Sequence, residues 1–464
     1  MNKVILGGGL SGLSAAYYLR RKFPLQEITL LEGSSRTSGW IKSTKYDDFI
    51  FEQGPRTIRP QGVKGINTLK LIEELGLEDD IKFIPRNHPA ALNRMIYVNG
   101  QLHTLPSSLL RILTKQPPFS KSLLNYLVRE VGQPRKFIRS NDESIYDFVY
   151  RRFGKEIADY AISPLICGIC AGNAKEISVK FLMENLFTHE QKYGSISKGL
   201  LYDFFNKSKE KPLLNSLSQR ATREKWSVYF FKDGIETLPR RLRKFGEENN
   251  VNFMLNKLCT KIEIGNEVSL HTNTGEIIRA DYLISSISPK TLGQLIVGHR
   301  DLNDLLVSIP CVSVCVVNLH FKNELLEQNG FGFLVPPKEN IPILGVIFDS
   351  CCTNTKGSTN LTVMMGGYWF EKYFGKNPTR ELLLDTALQQ LNTILGIKQQ
   401  PDLYQVSILQ DCIPQYVVGH NDTVRKIHDY LQSKKLSLSL CGNSFSGVGI
   451  NDCIYSAKTT IDNL

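Results

Sequence analysis

Across 464 residues there is no run of about eighteen uncharged apolar residues, so no segment is suited to cross a bilayer as a single helix. No leader is expected either. Lys3-Val4-Ile5-Leu6 already reads as a strand, so an organelle address is expected to be internal or trimmed before this numbering begins. Histidine is scarce, and its eight copies never fall at His-x-x-x-His spacing, which argues against a metal site. The ten cysteines are not a disulfide framework: they lie in apolar runs (Cys311, Cys315, Cys441, Cys453), as small buried residues of a reduced protein do. Cys167-Gly-Ile-Cys170 has redox or zinc spacing but no second pair. Basic residues form no dense run or binding motif, so nucleic acid is not an expected partner.

What is present describes a globular chain of two or three domains, with 42% hydrophobic and 22% charged residues. The net charge of +11 is uneven: residues 101–225 hold 20 Lys/Arg against 12 Asp/Glu. That surplus reads either as a solvated face or as attraction to an anionic membrane or substrate.

The strongest local pattern is at the head. The strand leads into Gly7-Gly8-Gly9-Leu10-Ser11-Gly12, then a helical pattern (Leu13, Ala15, Ala16, Tyr17, Leu19), then Ile28-Thr29-Leu30-Leu31 and Glu32. Gly7 permits the tight turn, Gly9 the approach of a pyrophosphate, and Gly12 close helix–strand packing. The helix N-terminus faces the diphosphate, and Glu32 is placed to accept from a ribose diol, followed by Gly33. Arg36, Gly39 and Trp40 then resemble the Glu-x-x-x-Arg-x-Gly-Gly extension of amine oxidase-like flavoproteins, with Ser38 in place of the first glycine.

Further on, Gly54-Pro55-Arg56-Thr57 marks a turn, residues 66–77 a helix, and Ala90–Val98 a strand entering an Asn99-Gly100 type I′ hairpin. Residues 106–225 read as successive helices that couple basic residues (Arg111, Lys115, Lys121, Arg129, Arg135, Lys136) to leucines. Such helices can lie in a membrane interface or pack as a plain insertion. One of them is expected to start after an Asn141 or Asp142 cap. Strands dominate 226–290 and 310–370, and a helix is predicted over 379–395. At the tail, Leu436–Asn443 runs as a strand into Gly447-Val448-Gly449-Ile450-Asn451-Asp452 and a last helix. This second helix N-terminus suits a flavin's pyrimidine edge or ribityl phosphate.

With both ends read, the chain resembles the eukaryotic, mitochondrial protoporphyrinogen oxidase family within the amine oxidase-like flavoproteins. The match is carried by Phe51–Arg56, His88–Arg94, Cys167–Asn173, Gly330–Pro336, Cys412–Tyr416 and Gly442–Ile454. The resemblance implies an α/β (α+β) chain with a Rossmann-like FAD-binding domain (1–87, 226–290 and 425–464). A strand-rich substrate domain (88–105 and 291–424) and a helical membrane-binding domain (106–225) complete it. It implies FAD held by Gly7, Gly8, Gly9, Leu10, Ser11, Gly12, Glu32, Gly33, Trp40, Gly54, Pro55, Arg56, Thr57, Cys259, Val448, Gly449 and Ile450. The implied substrate is protoporphyrinogen IX, contacted by Arg94 at a propionate, by Phe331, Leu334 and Met364 at the macrocycle, and by Gly168 through its backbone. It further implies molecular oxygen as acceptor with hydrogen peroxide released, and a homodimer on the intermembrane-space side of the mitochondrial inner membrane. Ferrochelatase is a further implied partner. No metal is expected, and no histidine or carboxylate is assigned as a general base. The alternatives are a flavin amine or polyamine oxidase, with Tyr416 as half of an aromatic cage, and a flavin- or porphyrin-binding protein without turnover.

Overall fold

The structure, a computed structural model, describes residues 2–135, 142–206 and 214–464. It divides into two compact units: Met1–Phe83 with Pro212–Pro310 and Asp422–Leu464, and Ile84–Lys211 with Cys311–Asn421.

The first unit is built on a five-stranded parallel sheet. Its spatial order is Leu438–Leu440, Tyr282–Ser285, Asn2–Leu6, Glu27–Leu31, Val251–Met254. Near-continuous apolar strands arise because both faces are covered. Side chains alternate, so Ile5, Ile28, Leu30 and Ile284 enter one core while Val4, Leu6, Leu31 and Leu283 enter the other. On the first face lie the helices Leu10–Lys22, Thr237–Glu248 and Ile450–Asp462. Lys22 Nζ donates to the Ile461 and Asp462 carbonyls at 2.9 and 2.8 Å, a cation closing the C-terminus of the last helix. The opposite core takes a four-stranded sheet and the helices Pro289–Leu295, Arg300–Val307 and His420–Ser433.

Two stretches assigned elsewhere from sequence pack here. Residues 291–310 supply Leu292, Leu302 and Leu306 to the second core of this unit rather than to a substrate domain. The helix Ser216–Arg223, expected at the end of the helical domain, buries Leu217 and Ala221 in the first core. Glu73 accepts hydrogen bonds from Asn215 and Ser216 beside it.

The second unit carries a seven-stranded sheet. Its order is Leu403–Pro414, Cys311–Phe321, Thr359–Gly366, Ile343–Phe348, Gly332–Leu334, Arg94–Val98, Gln101–Thr104. The hairpin at Asn99-Gly100 has φ of 52° and 79°, as a type I′ turn requires. Leu92 is not strand: His88 caps a short helix Pro89–Leu92, its Nδ1 accepting from Ala90 N at 3.1 Å, and the strand begins at Arg94. Proline at the first helical position and a capping side chain outweigh the apolar run. On one face of the sheet Val317, Leu319, Phe321, Val363 and Met365 pack with Leu383, Ala387 and Leu391 of the helix Arg380–Leu395.

The rest of this unit is helical, and an ion network holds it together. Arg152 and Glu130 have fully buried side chains and pair through Nε at 2.9 Å and through Nη2. Glu130 also accepts from Ser195 Oγ at 2.8 Å and from the Ile196 and Ser197 N–H groups at 2.8 and 3.0 Å. It therefore seals the N-terminus of the helix Ile196–Phe205. Burial alone would raise the Glu130 pKa, but the Arg152 guanidinium and the donors at Ser197 and Ile196 hold it down to about 2. Arg151 pairs with Glu143 and Glu190. The helix Ile145–Phe153 is capped by Ser144, whose Oγ accepts from Asp147 N at 3.0 Å, not by Asp142; Asn141 lies outside the described residues. Asp142 instead accepts from Ser178 Oγ and Gly419 N.

Candidate functional site

The glycine turn is locked by its neighbours. Gly7, at φ 105°, donates its N–H to the Leu31 carbonyl at 2.8 Å. A Cβ on Gly12 would lie 1.9 Å from the Gly7 carbonyl oxygen, so no side chain fits where helix meets turn. Ser286 Oγ, at the end of the adjacent strand, donates to the Leu6 or Gly7 carbonyl at 3.1 Å. Sequence reading missed this residue, whose only signal is its place after an apolar strand.

The Glu32 carboxylate accepts from Gly8 N at 2.6 Å and from Ser34 N and Oγ at 2.8 Å each. Three of its roughly four acceptor positions are thereby used, and the carboxylate is fixed at the tip of its strand. Lys257 N donates to the Glu32 carbonyl at 3.0 Å, which brings the start of the strand Cys259–Ile264 alongside; Leu258 packs where a Gly33 side chain would lie. The Cys259 thiol is buried, and that burial pushes its pKa up to about 11.

Arg36 organises the following loop, donating to the carbonyls of Thr37 and Ile41 at 3.1 Å each and of Gly39 at 2.6 Å. Ser38 takes φ 86°, the conformation glycine provides without strain, and its N–H reaches the Gly8 carbonyl at 2.8 Å. Trp40 is half exposed, and its carbonyl lies 2.4 Å from where a Cβ on Gly54 would be. Pro55, Arg56 and Thr57 follow, the chain then pairing through Ile58 N to the Tyr229 carbonyl at 2.8 Å. The tail reaches the head: Ser11 Oγ would be 3.6 Å from a Cβ on Gly442. Past it, Val448 and Gly449 lead into Ile450, the first residue of the last helix. Gly7–Gly12, Glu32–Thr57, Cys259 and Val448–Ile450 are thus all carried by the first unit.

In the second unit the sheet register assembles the other set. Leu334 pairs with Gly345 and Gly345 with Met364, so Leu334 and Met364 lie on one face on either side of Gly345, where a Cβ would meet Leu334 Cδ2 at 3.1 Å. Ile96 pairs with Leu334 and Arg94 with Gly332, which puts exposed Arg94 on the same face, two residues along its strand. Gly168, exposed near the end of the helix Ser163–Cys170, faces this row: a Cβ there would lie 3.1 Å from Leu334 Cδ2. Phe331 joins at the edge, donating its N–H to the Asn93 carbonyl at 3.1 Å, although φ of 128° at Gly332 breaks the alternation between it and Leu334.

Other candidates offer this row no reactive group, although Cys167 packs in one cluster with Met364. Tyr416 is fully buried and stacked on Phe181 at 4.3 Å, away from any exposed cage. Cys167 and Cys170 are buried, and burial pushes the Cys170 thiol up to about 12, so neither is a ready thiolate. Among the described residues no cluster of three or more His, Cys, Asp or Glu could hold a metal.

The flavin containing amine oxidoreductase family model matches residues 10–462. The protoporphyrinogen oxidase of Bos taurus is 37% identical over 467 residues, covering 98% of this chain and 96% of its own length. The protoporphyrinogen oxidase of Homo sapiens is 36% identical over 467 residues with the same coverage. A solved structure from Exiguobacterium sp. 255-15 superposes with a TM-score of 0.80 at 26% identity, covering 100% of this chain and 98% of that one. The chain therefore belongs to the flavin containing amine oxidoreductase family, with near full-length similarity to protoporphyrinogen oxidases.

Proposed function

We propose that this protein oxidises protoporphyrinogen IX to protoporphyrin IX with FAD as its cofactor. The observation that carries the reading is the collinear, near full-length similarity to protoporphyrinogen oxidases. The residues present fit FAD: the turn is packed tightly at Gly7 and Gly12, while at Gly9 the backbone is bare and a Cβ would meet only Gly39 Cα at 3.8 Å, so a diphosphate can approach it. Glu32 stands where it would accept from the adenosine ribose, and the backbone at Val448–Ile450 opens a helix toward the ring and its arm. Bound FAD supplies the electron acceptor for three successive two-electron oxidations, with molecular oxygen regenerating it and hydrogen peroxide released.

The substrate is a large apolar macrocycle with two carboxylates. Leu334 and Met364 offer an aliphatic wall, Gly168 and Gly345 keep it flat, Phe331 closes one edge, and Arg94 offers a propionate its cation. An amine oxidase is disfavoured, because Tyr416, the aromatic left for a cage, is buried against Phe181. Purified protein given protoporphyrinogen IX in air should gain porphyrin fluorescence and peroxide; a rate no faster than autoxidation refutes the reading. Arg94→Ala should raise KM with flavin content intact, and loss of flavin would reassign Arg94 to the fold.

The helical segment 106–225 is proposed to rest on an anionic membrane surface, as a peripheral partner. Support comes from exposed Leu124, Leu127, Val128 and Val131 on the helix Leu123–Gly132 and exposed Leu200, Leu201, Phe204 and Phe205 on the helix Ile196–Phe205. Among the described residues no helix is long and apolar enough to cross a membrane. Flotation with anionic liposomes should carry the parent and lose Phe204→Glu/Phe205→Glu. A homodimer at the mitochondrial inner membrane, passing product to ferrochelatase, completes the proposal and is open to crosslinking in isolated mitochondria.

A further inference from the structure

Three contacts fasten the start of the last helix and the turn before it to the start of the helix Gly62–Glu74 and the residues ahead of it, and a fourth closes the turn on itself. Lys64 Nζ donates to Asp452 Oδ1 at 2.6 Å and to the Ser446 carbonyl at 3.0 Å. The second Asp452 oxygen accepts the Gly449 N–H at 3.0 Å, and Asn451 Nδ2 donates to the Arg59 carbonyl at 2.8 Å. Asp452 is the post around which residues 447–449 wrap. At Gly447, where φ is 122°, a Cβ would lie 2.7 Å from its carboxylate. Fold stability does not account for the pair: the Lys64 and Asp452 side chains are 43% and 28% exposed, a setting in which ion pairs add little.

We propose that Lys64 is a positioning residue for the flavin, acting through Asp452, and that the sign of its charge matters as much as its grip. The inference rests on the reading that Val448–Ile450 line FAD. A helix N-terminus presents free N–H groups and positive potential, suited to the pyrimidine edge of a flavin, where reduction places negative charge. A carboxylate at the third helical position sets a negative charge into that end. Asp452 is needed there to hold Gly449, and Lys64 neutralises it while fixing the Ser446 carbonyl. The loop keeps its shape without losing its positive potential.

Three variants separate charge from shape. Lys64→Met leaves Asp452 uncompensated, so the flavin reduction potential should become more negative and FAD affinity fall about tenfold. Lys64→Met/Asp452→Asn retains an acceptor for Gly449 without the charge and should return the potential toward the parent. Lys64→Arg should behave as the parent. Potentials are read on holoprotein by dye equilibration, affinity by titrating apoprotein with FAD, and folding by melting temperature, which should change little. Parental potential in Lys64→Met, or an equal shift in Lys64→Met and the double variant, overturns the proposal. Val448→Trp tests the underlying reading separately. If it leaves the flavin absorption spectrum unchanged, the loop does not line the flavin. If it alters the spectrum while the potential ignores Lys64, only the role of Lys64 is overturned.

Discussion

Replacing Arg152 with methionine would leave the Glu130 carboxylate in a dry interior without its cation. The guanidinium also donates to the Glu130, Gln133 and Gly194 carbonyls at 3.0, 3.0 and 3.1 Å, so several acceptors lose a partner at once. Breaking a buried pair from one side costs roughly 3–5 kcal/mol, because the surviving charge stays desolvated. The glutamate, with all of its donors, also leaves a pH signature. Its pKa is held at about 2 against an ordinary 4.5. That gap corresponds to roughly 3 kcal/mol, present in full above pH 4.5 and lost as pH falls toward 2, since the folded state binds its proton later than the unfolded one. Urea unfolding followed by far-ultraviolet dichroism should show the loss in Arg152→Met, with new proteolytic cuts among the helices between residues 123 and 205. Glu130→Gln/Arg152→Met should recover part of it, and Glu130→Gln alone should flatten the acid limb between pH 4.5 and 2. A loss under about 1 kcal/mol in Arg152→Met, the size expected of a solvated pair, would refute the reasoning.

Gly12→Ala should abolish flavin binding, its Cβ falling on the Gly7 carbonyl; a yellow, fully loaded variant would contradict the turn geometry. Ser38→Gly should stabilise the apoprotein by about 1 kcal/mol in urea titration, since serine at φ 86° is strained and glycine is not. Iodoacetamide at pH 8 should leave Cys170 unlabelled in the folded protein and label it in urea, because its thiol is buried and pushed up to about 12.

The head and tail loops were legible because their chemistry is local: glycine spacing, a strand end and an acid determine where a dinucleotide can lie. The Asn99-Gly100 hairpin and the helix Arg380–Leu395 were legible for the same reason. Register was not. That Leu334, Gly345 and Met364 form one row follows from strand pairings far apart in sequence, and no periodicity within a strand reveals its neighbours. The Glu130–Arg152 pair was equally silent, since one acid and one base on separate amphipathic helices read as solvated faces. Unit boundaries slipped where a short helix such as Ser216–Arg223 carries too few apolar residues to declare which core it joins.

The edge strand Leu438–Leu440 and the helix Ile450–Asp462 complete a sheet that opens with Asn2–Leu6. On the ribosome, therefore, the strand Asn2–Leu6 must wait for elements made far later in the chain. Until these emerge, the helix Leu10–Lys22 has no partner for the flank that the helix Ile450–Asp462 covers. A nonsense codon even fifteen residues short of Leu464 should yield a colourless polypeptide with an open apolar seam, which chaperones would retain and proteases clear.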